Sequence, residues 1–311
     1  MYRFVFLTAV WVVVSLEASV IKPIPQSMKV DRQKAELGKA LFFDPRLSKD
    51  GTISCASCHD LQEGGDDGRK FSKGVKGQWG QINAPTVYNA VFNFRRFWDG
   101  RAANLEEQVI GPITNPVEMG IDMETAVKQL RKDPYYSQMF DRSYPDGVTP
   151  TNIANAIATY EKTLITPNAP FDKYLKGDEN AISEQAKEGF RLFKYKGCII
   201  CHNGVNVGGN LYNKFGIYKD ANSSTLGRYN VTGREEDKYV FKVPSLRNVA
   251  LTSPYMHDGR FSRLEDAVRF MTQYQLGRYI TDEEIDAIVA FLKTLTGEMS
   301  IDRGVTNASG K

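Results

Sequence analysis

Every cysteine in this chain belongs to one of two C-x-x-C-H motifs, Cys55-Ala56-Ser57-Cys58-His59 and Cys198-Ile199-Ile200-Cys201-His202. The pattern predicts covalent attachment of c-type haem. Two thiols form thioethers with the porphyrin vinyl groups, and the next histidine reaches the iron as proximal ligand. Two of the chain's three histidines occupy these positions. At so low a histidine frequency, a chance histidine after one C-x-x-C is on the order of one in a hundred. A zinc site is a poorer account, because the pairs lie far beyond ribbon or finger spacing and zinc alone would not need both histidines. A thioredoxin-like motif wants a βαβ context, and these flanks are not strand-like. With all four sulfurs used, no structural disulfide remains.

At 311 residues the chain is long enough for two domains. With 41% hydrophobic and 25% charged residues its composition is that of a soluble globular protein, and the formal charge is only +3. No Lys/Arg block points to nucleic acid or an anionic membrane surface. Met1-Tyr2-Arg3 followed by an apolar run from Phe4 to Val14 reads as a signal peptide over residues 1–19, with Ala18 or Ser19 as candidate cleavage sites. The run is well short of the roughly 20 residues that span a bilayer. Signal and haem motifs both predict the periplasm.

The halves resemble each other. Ala35-x-x-Gly38-x-x-Leu41-Phe42 recurs as Ala186-x-x-Gly189-x-x-Leu192-Phe193, ahead of each haem motif. Pro85-Thr86-Val87-x-Asn89 recurs as Pro244-Ser245-Leu246-x-Asn248, and Asp99-Gly100-Arg101-x-x-x-Leu105-Glu106 as Asp258-Gly259-Arg260-x-x-x-Leu264-Glu265. The last two matches share one offset, which predicts an internal duplication. The expected fold is mainly α: two cytochrome c-like haem domains with long irregular loops. An N-terminal unit over 20–165 and a C-terminal unit over 166–311 meet near Asn168-Ala169-Pro170. A helix should carry each A-x-x-G-x-x-L-F into its C-x-x-C-H. Others should begin near Leu105 and Leu264, and Ile153 to Leu164 and Ile285 to Leu295 have helical spacing. The stretch from Glu63 to Gly80 reads as a Gly-rich loop.

The duplication also predicts that the two haems differ. Met271 is a candidate second axial ligand in the C-terminal unit; its alternative role is core packing. The equivalent offset in the first unit gives Pro112, which cannot ligate iron. One haem should therefore be closed and the other open. Gln108 and Glu118 bracket Gly111-Pro112-Ile113-Thr114-Asn115-Pro116, read as turn-rich. A carboxylate beside an open haem can move a proton on bound peroxide, and an amide can orient it. The plainer reading of Glu118 is an exposed helix-start residue.

From about Ala35 to Gly297 the chain resembles the bacterial di-haem cytochrome c peroxidases. The likeness rests on Leu41-Phe42-Phe43-Asp44, Ser54-Cys55-x-x-Cys58-His59, Asn83-Ala84-Pro85-Thr86 and Asn93-Phe94-x-x-Phe97-Trp98-Asp99-Gly100-Arg101. It continues in Gly111-Pro112-x-x-Asn115-Pro116-x-Glu118-Met119, Pro254-Tyr255-x-His257-Asp258-Gly259 and Met271-x-x-x-Gln275-Leu276-Gly277. The resemblance implies a peroxidatic haem on Cys55, Cys58 and His59, with Glu118 as acid–base residue and Gln108 its neighbour. It implies a high-potential haem on Cys198, Cys201, His202 and Met271, and Trp98 between the haems as an electron route. His257 stands at the duplicated position of Trp98, where it would support a haem edge. It further implies calcium held by the Asn83 side chain and the carbonyls of Thr252 and Pro254. The partners implied are hydrogen peroxide, a small periplasmic donor (a cytochrome c or a copper protein) and a second copy in a homodimer.

One departure stands out. Many members carry a histidine in the loop after the first haem motif that caps the peroxidatic iron until the other haem is reduced. Here Val75 stands at that position, so the requirement for reductive activation is in doubt. Another branch of the superfamily has tyrosine in place of Met271 and oxidises a partner protein; Met271 argues against it. The expected function is therefore periplasmic reduction of hydrogen peroxide. The alternatives are a di-haem electron carrier without turnover and a di-haem oxidase of a protein or organic substrate.

Overall fold

The computed structural model describes residues 20–299 and the backbone of 305–307. The signal-peptide reading over 1–19 lies outside the described residues. Ten α-helices are described: α1 (Arg32–Phe42), α2 (Leu105–Thr114), α3 (Met123–Lys132), α4 (Pro134–Ser143), α5 (Pro150–Glu161), α6 (Pro170–Leu175), α7 (Glu184–Lys196), α8 (Tyr229–Thr232), α9 (Leu264–Phe270) and α10 (Asp282–Lys293). The strands are three residues each: β1 (Met28–Val30) pairs parallel with β4 (Val305–Asn307), and β2 (Tyr212–Lys214) antiparallel with β3 (Val240–Lys242). β2 is the second strand in chain order, after β1, and β3 the third.

The repeated A-x-x-G-x-x-L-F is a helix face. Asp31 caps α1 by accepting from the Lys34 N–H, and Ala35, Gly38, Leu41 and Phe42 are buried along one stripe. Ser183 caps α7 in the same way, and Ala186, Gly189, Leu192 and Phe193 are buried. The glycines sit where two helices cross. A Cβ on Gly38 would lie 1.9 Å from the Ala156 carbonyl oxygen of α5, and one on Gly189 would lie 1.8 Å from the Ala287 carbonyl oxygen of α10. Each unit is thus founded on one tight helix pair, and each pair carries its own apolar core.

The duplication extends to backbone conformation. Asn89 and Asn248 have φ of 59° and 60°, Phe97 and Met256 have 63° and 73°, and Gly100 and Gly259 have 68° and 57°. Matching bridges join Arg96 to Ala102 and Tyr255 to Phe261. Non-glycine residues rarely hold positive φ, so the shared set is strong support for two copies of one unit. The copies meet at a polar knot. Asn89 Nδ2 and Asn248 Nδ2 donate to Thr166 Oγ1 at 2.8 and 3.1 Å, and the Gly297 N–H donates to Asn248 Oδ1 at 3.1 Å.

The units diverge after α2 and α9. The first inserts α3 and α4 before α5; the second reaches α10 through a π-helical turn, Met271–Gln275. Two expectations are corrected. Residues 111–114 are not a turn, because α2 runs through Pro112 to Thr114; the turn follows at Asn115. α1 also does not enter the first haem motif directly, since a 3-10 turn at Pro45–Leu47 and an extended segment intervene. In the second unit α7 does enter it, ending at Gly197 with φ of 101°.

Candidate haem sites and the junction between them

Each C-x-x-C-H opens on a single 3-10 turn, Cys55–Ser57 and Cys198–Ile200. The His59 N–H donates to the Cys55 carbonyl at 3.0 Å, and the His202 N–H to the Cys198 carbonyl at 3.0 Å. Two thiols and an imidazole therefore leave from one fold of backbone, as two thioethers and an axial bond to one cofactor require. All four thiols are unpaired and half-buried. Burial pushes the Cys55 thiol well up and that of Cys58 to about 11, so both stay protonated at neutral pH until they react.

His59 Nδ1 faces the Gly65 carbonyl at 3.1 Å. That contact places the proton on Nδ1 and leaves the Nε2 lone pair for a metal. Burial holds the ring below its usual range, against the pull of this bond. Around His202 the carbonyls of Val207 and Pro244 oppose burial, yet no hydrogen bond to Nδ1 forms, and the ring falls to about 4. Gly208, with φ of 129°, permits this approach. A Cβ there would lie 2.1 Å from the Pro244 carbonyl oxygen and 3.2 Å from His202 Nδ1.

A cavity opens at the second motif. Cys198, Cys201, His202 and Met271 all line it, with Trp98, Phe215, Phe241, Val243, Pro244 and Leu276 among its apolar walls. Two thiols, an imidazole and a thioether around an apolar slot fit a haem with two axial protein ligands. Met271 heads the π-helical turn, a rare form that recurs at functional sites.

In the first unit Glu118 sits on the turn after α2. It is partly buried, its Oε1 accepts from Asn115 Nδ2 at 2.7 Å, and burial raises its carboxyl against that bond and the Arg101 charge. Its charge helps to raise the Cys58 thiol of the first haem motif, after the larger effect of burial. The plainer reading of Glu118 as an exposed helix start does not hold. Gln108 is half-buried on α2, one turn before Pro112. The Gly-rich loop is docked on the same turn. The Val75 N–H donates to the Glu118 carbonyl at 2.8 Å, and Gln78 Nε2 donates to the Pro116 carbonyl at 3.1 Å. A Cβ on Gly74 would lie 2.0 Å from the Val117 carbonyl oxygen, and Val75 is 1% exposed.

Trp98 stands at the junction. Its Nε1 donates to the Asn83 carbonyl at 2.9 Å, its ring meets His257 edge-on at 6.2 Å, and its own carbonyl accepts from the Lys242 N–H at 2.8 Å. His257 is buried, stacks on Phe241 at 4.4 Å and lies 3.0 Å from Ser223 Oγ. The Asn83 N–H donates to the His257 carbonyl at 2.9 Å, which brings Asn83 to the segment containing Thr252 and Pro254. Its Nδ2 donates to the Arg69 carbonyl at 2.9 Å, so the side-chain oxygen is the group it offers a cation. Sequence reasoning missed Asn115, Lys242, Arg96 and Glu161. The last three are buried charges; only Lys242, between Val240-Phe241 and Val243-Pro244, offered the signal of a lone charge within an apolar run, since Arg95 adjoins Arg96 and Lys162 adjoins Glu161.

Residues 32–180 match the family model for di-haem cytochrome c peroxidase, and residues 186–296 that for cytochrome c. The chain is 51% identical over 283 residues to the cytochrome c peroxidase Ccp of Escherichia coli, covering 89% of this chain and 61% of that protein. It is 50% identical over 281 residues to the cytochrome c551 peroxidase of Nitrosomonas europaea, covering 89% and 84%. Among solved structures, a MauG-like protein associated with microbial copper homeostasis superposes with a TM-score of 0.79 at 27% identity, covering 93% and 97%.

Proposed function

The chain belongs to the di-haem cytochrome c peroxidase family, and from that premise we propose that it reduces hydrogen peroxide to water in the periplasm with electrons from a small redox protein. The reaction consumes two electrons and two protons per peroxide and yields two waters. Cys55, Cys58 and His59 would hold the peroxidatic haem, and Cys198, Cys201, His202 and Met271 the electron-transfer haem. Bound there, the two irons supply the peroxide-binding centre and the redox equivalents. Glu118 takes a proton from bound peroxide and returns it to the leaving oxygen. Asn115 aims that carboxylate, and Gln108 orients the substrate through its amide. Trp98 joins the two haem sites. Asn83, Thr252 and Pro254 would hold calcium, and a homodimer is the expected assembly.

The observation that carries this reading is the asymmetry between the units. Glu118 sits on the turn to which the loop after the first haem motif is docked, and Met271 lines the cavity of the second. A carrier without turnover needs no proton-moving group at one haem. The test is Glu118→Gln in the fully haem-loaded protein. Turnover of hydrogen peroxide should fall by roughly 10²–10⁴, with both haems retained. Near-normal turnover removes Glu118 from the mechanism.

A further inference from the structure

Lys242 is a buried cation without a visible anion. It is 6% exposed, on β3, and it is one of the residues lining the cavity of the second haem motif. Three other buried or half-buried cations are matched: Arg247 pairs with Asp172 at 2.7 Å, Lys196 with Glu284 at 2.8 Å and Lys162 with Glu106 at 2.7 Å. Among the described residues no carboxylate oxygen lies within 4.0 Å of the Lys242 ammonium. The charge that acts on it is another cation, Arg96, itself 8% exposed and with its Nε unbonded. Burial pushes the ammonium down to about 8, and Arg96 pushes the same way. An isolated charge in such a place costs several kcal/mol unless paired. The strand is nonetheless held there, by the Lys242 N–H on the Trp98 carbonyl. A haem brings two carboxylates of its own, its propionates.

We propose that Lys242 is the counter-ion of a haem propionate at the junction of the two units, beside Trp98. This rests on the di-haem reading above. The cavity it lines makes the second haem the source, with the first haem as the other possible source. The pair neutralises a propionate next to the iron, which favours the reduced state. Loss of the ammonium should therefore make that haem harder to reduce.

The experiment is a spectroscopic redox titration of both haems in the holoenzyme, comparing Lys242→Met, Lys242→Gln and Lys242→Arg with the parent. The neutral variants should lower the reduction equilibrium constant of one haem on the order of tenfold, about 59 mV for one electron. Lys242→Arg should restore it. A shift confined to the His/Met haem assigns the propionate to the second haem; a shift confined to the other assigns it to the first. Two unmoved potentials in a doubly loaded neutral variant overturn the pairing. Should neither neutral variant retain both haems, a crystal structure of the parent holoenzyme decides: Lys242 Nζ within hydrogen-bonding distance of a propionate supports the pair, and a longer separation overturns it. One haem per parent chain would instead sink the di-haem reading itself.

Discussion

At the scale of single residues, the chemistry turns on how burial sets charge. On the proposed mechanism Glu118 must be ionised to take a proton from peroxide, and burial raises its carboxyl from its ordinary value. Peroxide turnover should therefore fall as pH drops through that raised value, at higher pH than for an exposed glutamate. Glu118→Gln should abolish that acidic limb of the kcat/KM profile. A limb that survives the substitution belongs to another group. Asp172 shows burial serving structure. It and Arg247 are both fully buried; the carboxylate accepts from Arg247 Nη1 at 2.7 Å and from the Ile24 N–H at 3.2 Å, while Arg247 also holds the Lys22 and Val205 carbonyls. Asp172→Ala leaves a buried guanidinium without its counter-charge. We expect a loss of about 3–5 kcal/mol in stability, read from denaturant midpoints of the haem-loaded protein. A loss below about 1 kcal/mol would mean that water reaches the guanidinium and replaces the pair.

At the scale of elements, each haem unit depends on one close helix crossing. Gly189 lets α7 approach α10 until a Cβ would stand 1.8 Å from the Ala287 carbonyl oxygen. Rigid backbone on both sides cannot yield as a side-chain tip would. Gly189→Ala must push the helices apart, and overpacking of this kind costs about 1–3 kcal/mol or more. Gly38→Ala should do the same to α1 and α5, where the contact is 1.9 Å. A melting temperature unchanged in either variant would show that the crossing adjusts freely. The two helix pairs were legible in the sequence because their faces repeat at helical spacing. α3 and α4 were not read from the halves, because the second unit has no counterpart to compare.

At the scale of the whole molecule, the loop of the first unit meets the turn that carries Glu118. Val75 is tied to the Glu118 carbonyl by its backbone and offers a metal no lone pair from its side chain. The fully oxidised protein should therefore bind cyanide in one fast phase, with no lag that prior half-reduction removes. A wholly six-coordinate, low-spin ferric spectrum with turnover only after reduction would falsify this. The sequence alone determined what is local: two haem-attachment turns, since thiols and histidine act within five residues, and two helical units, since amphipathic spacing and capping act within a few turns. Duplicated motifs also exposed the difference between Met271 and Pro112. Only the tertiary structure decided what joins residues far apart in the chain. Val75 on the Glu118 carbonyl, the Lys242 N–H on the Trp98 carbonyl, and Thr166 between Asn89 and Asn248 are such contacts. The first depends on how one unit folds on itself and the other two on how the units pack, and a hydrogen bond between distant segments leaves no periodic trace in the sequence of either.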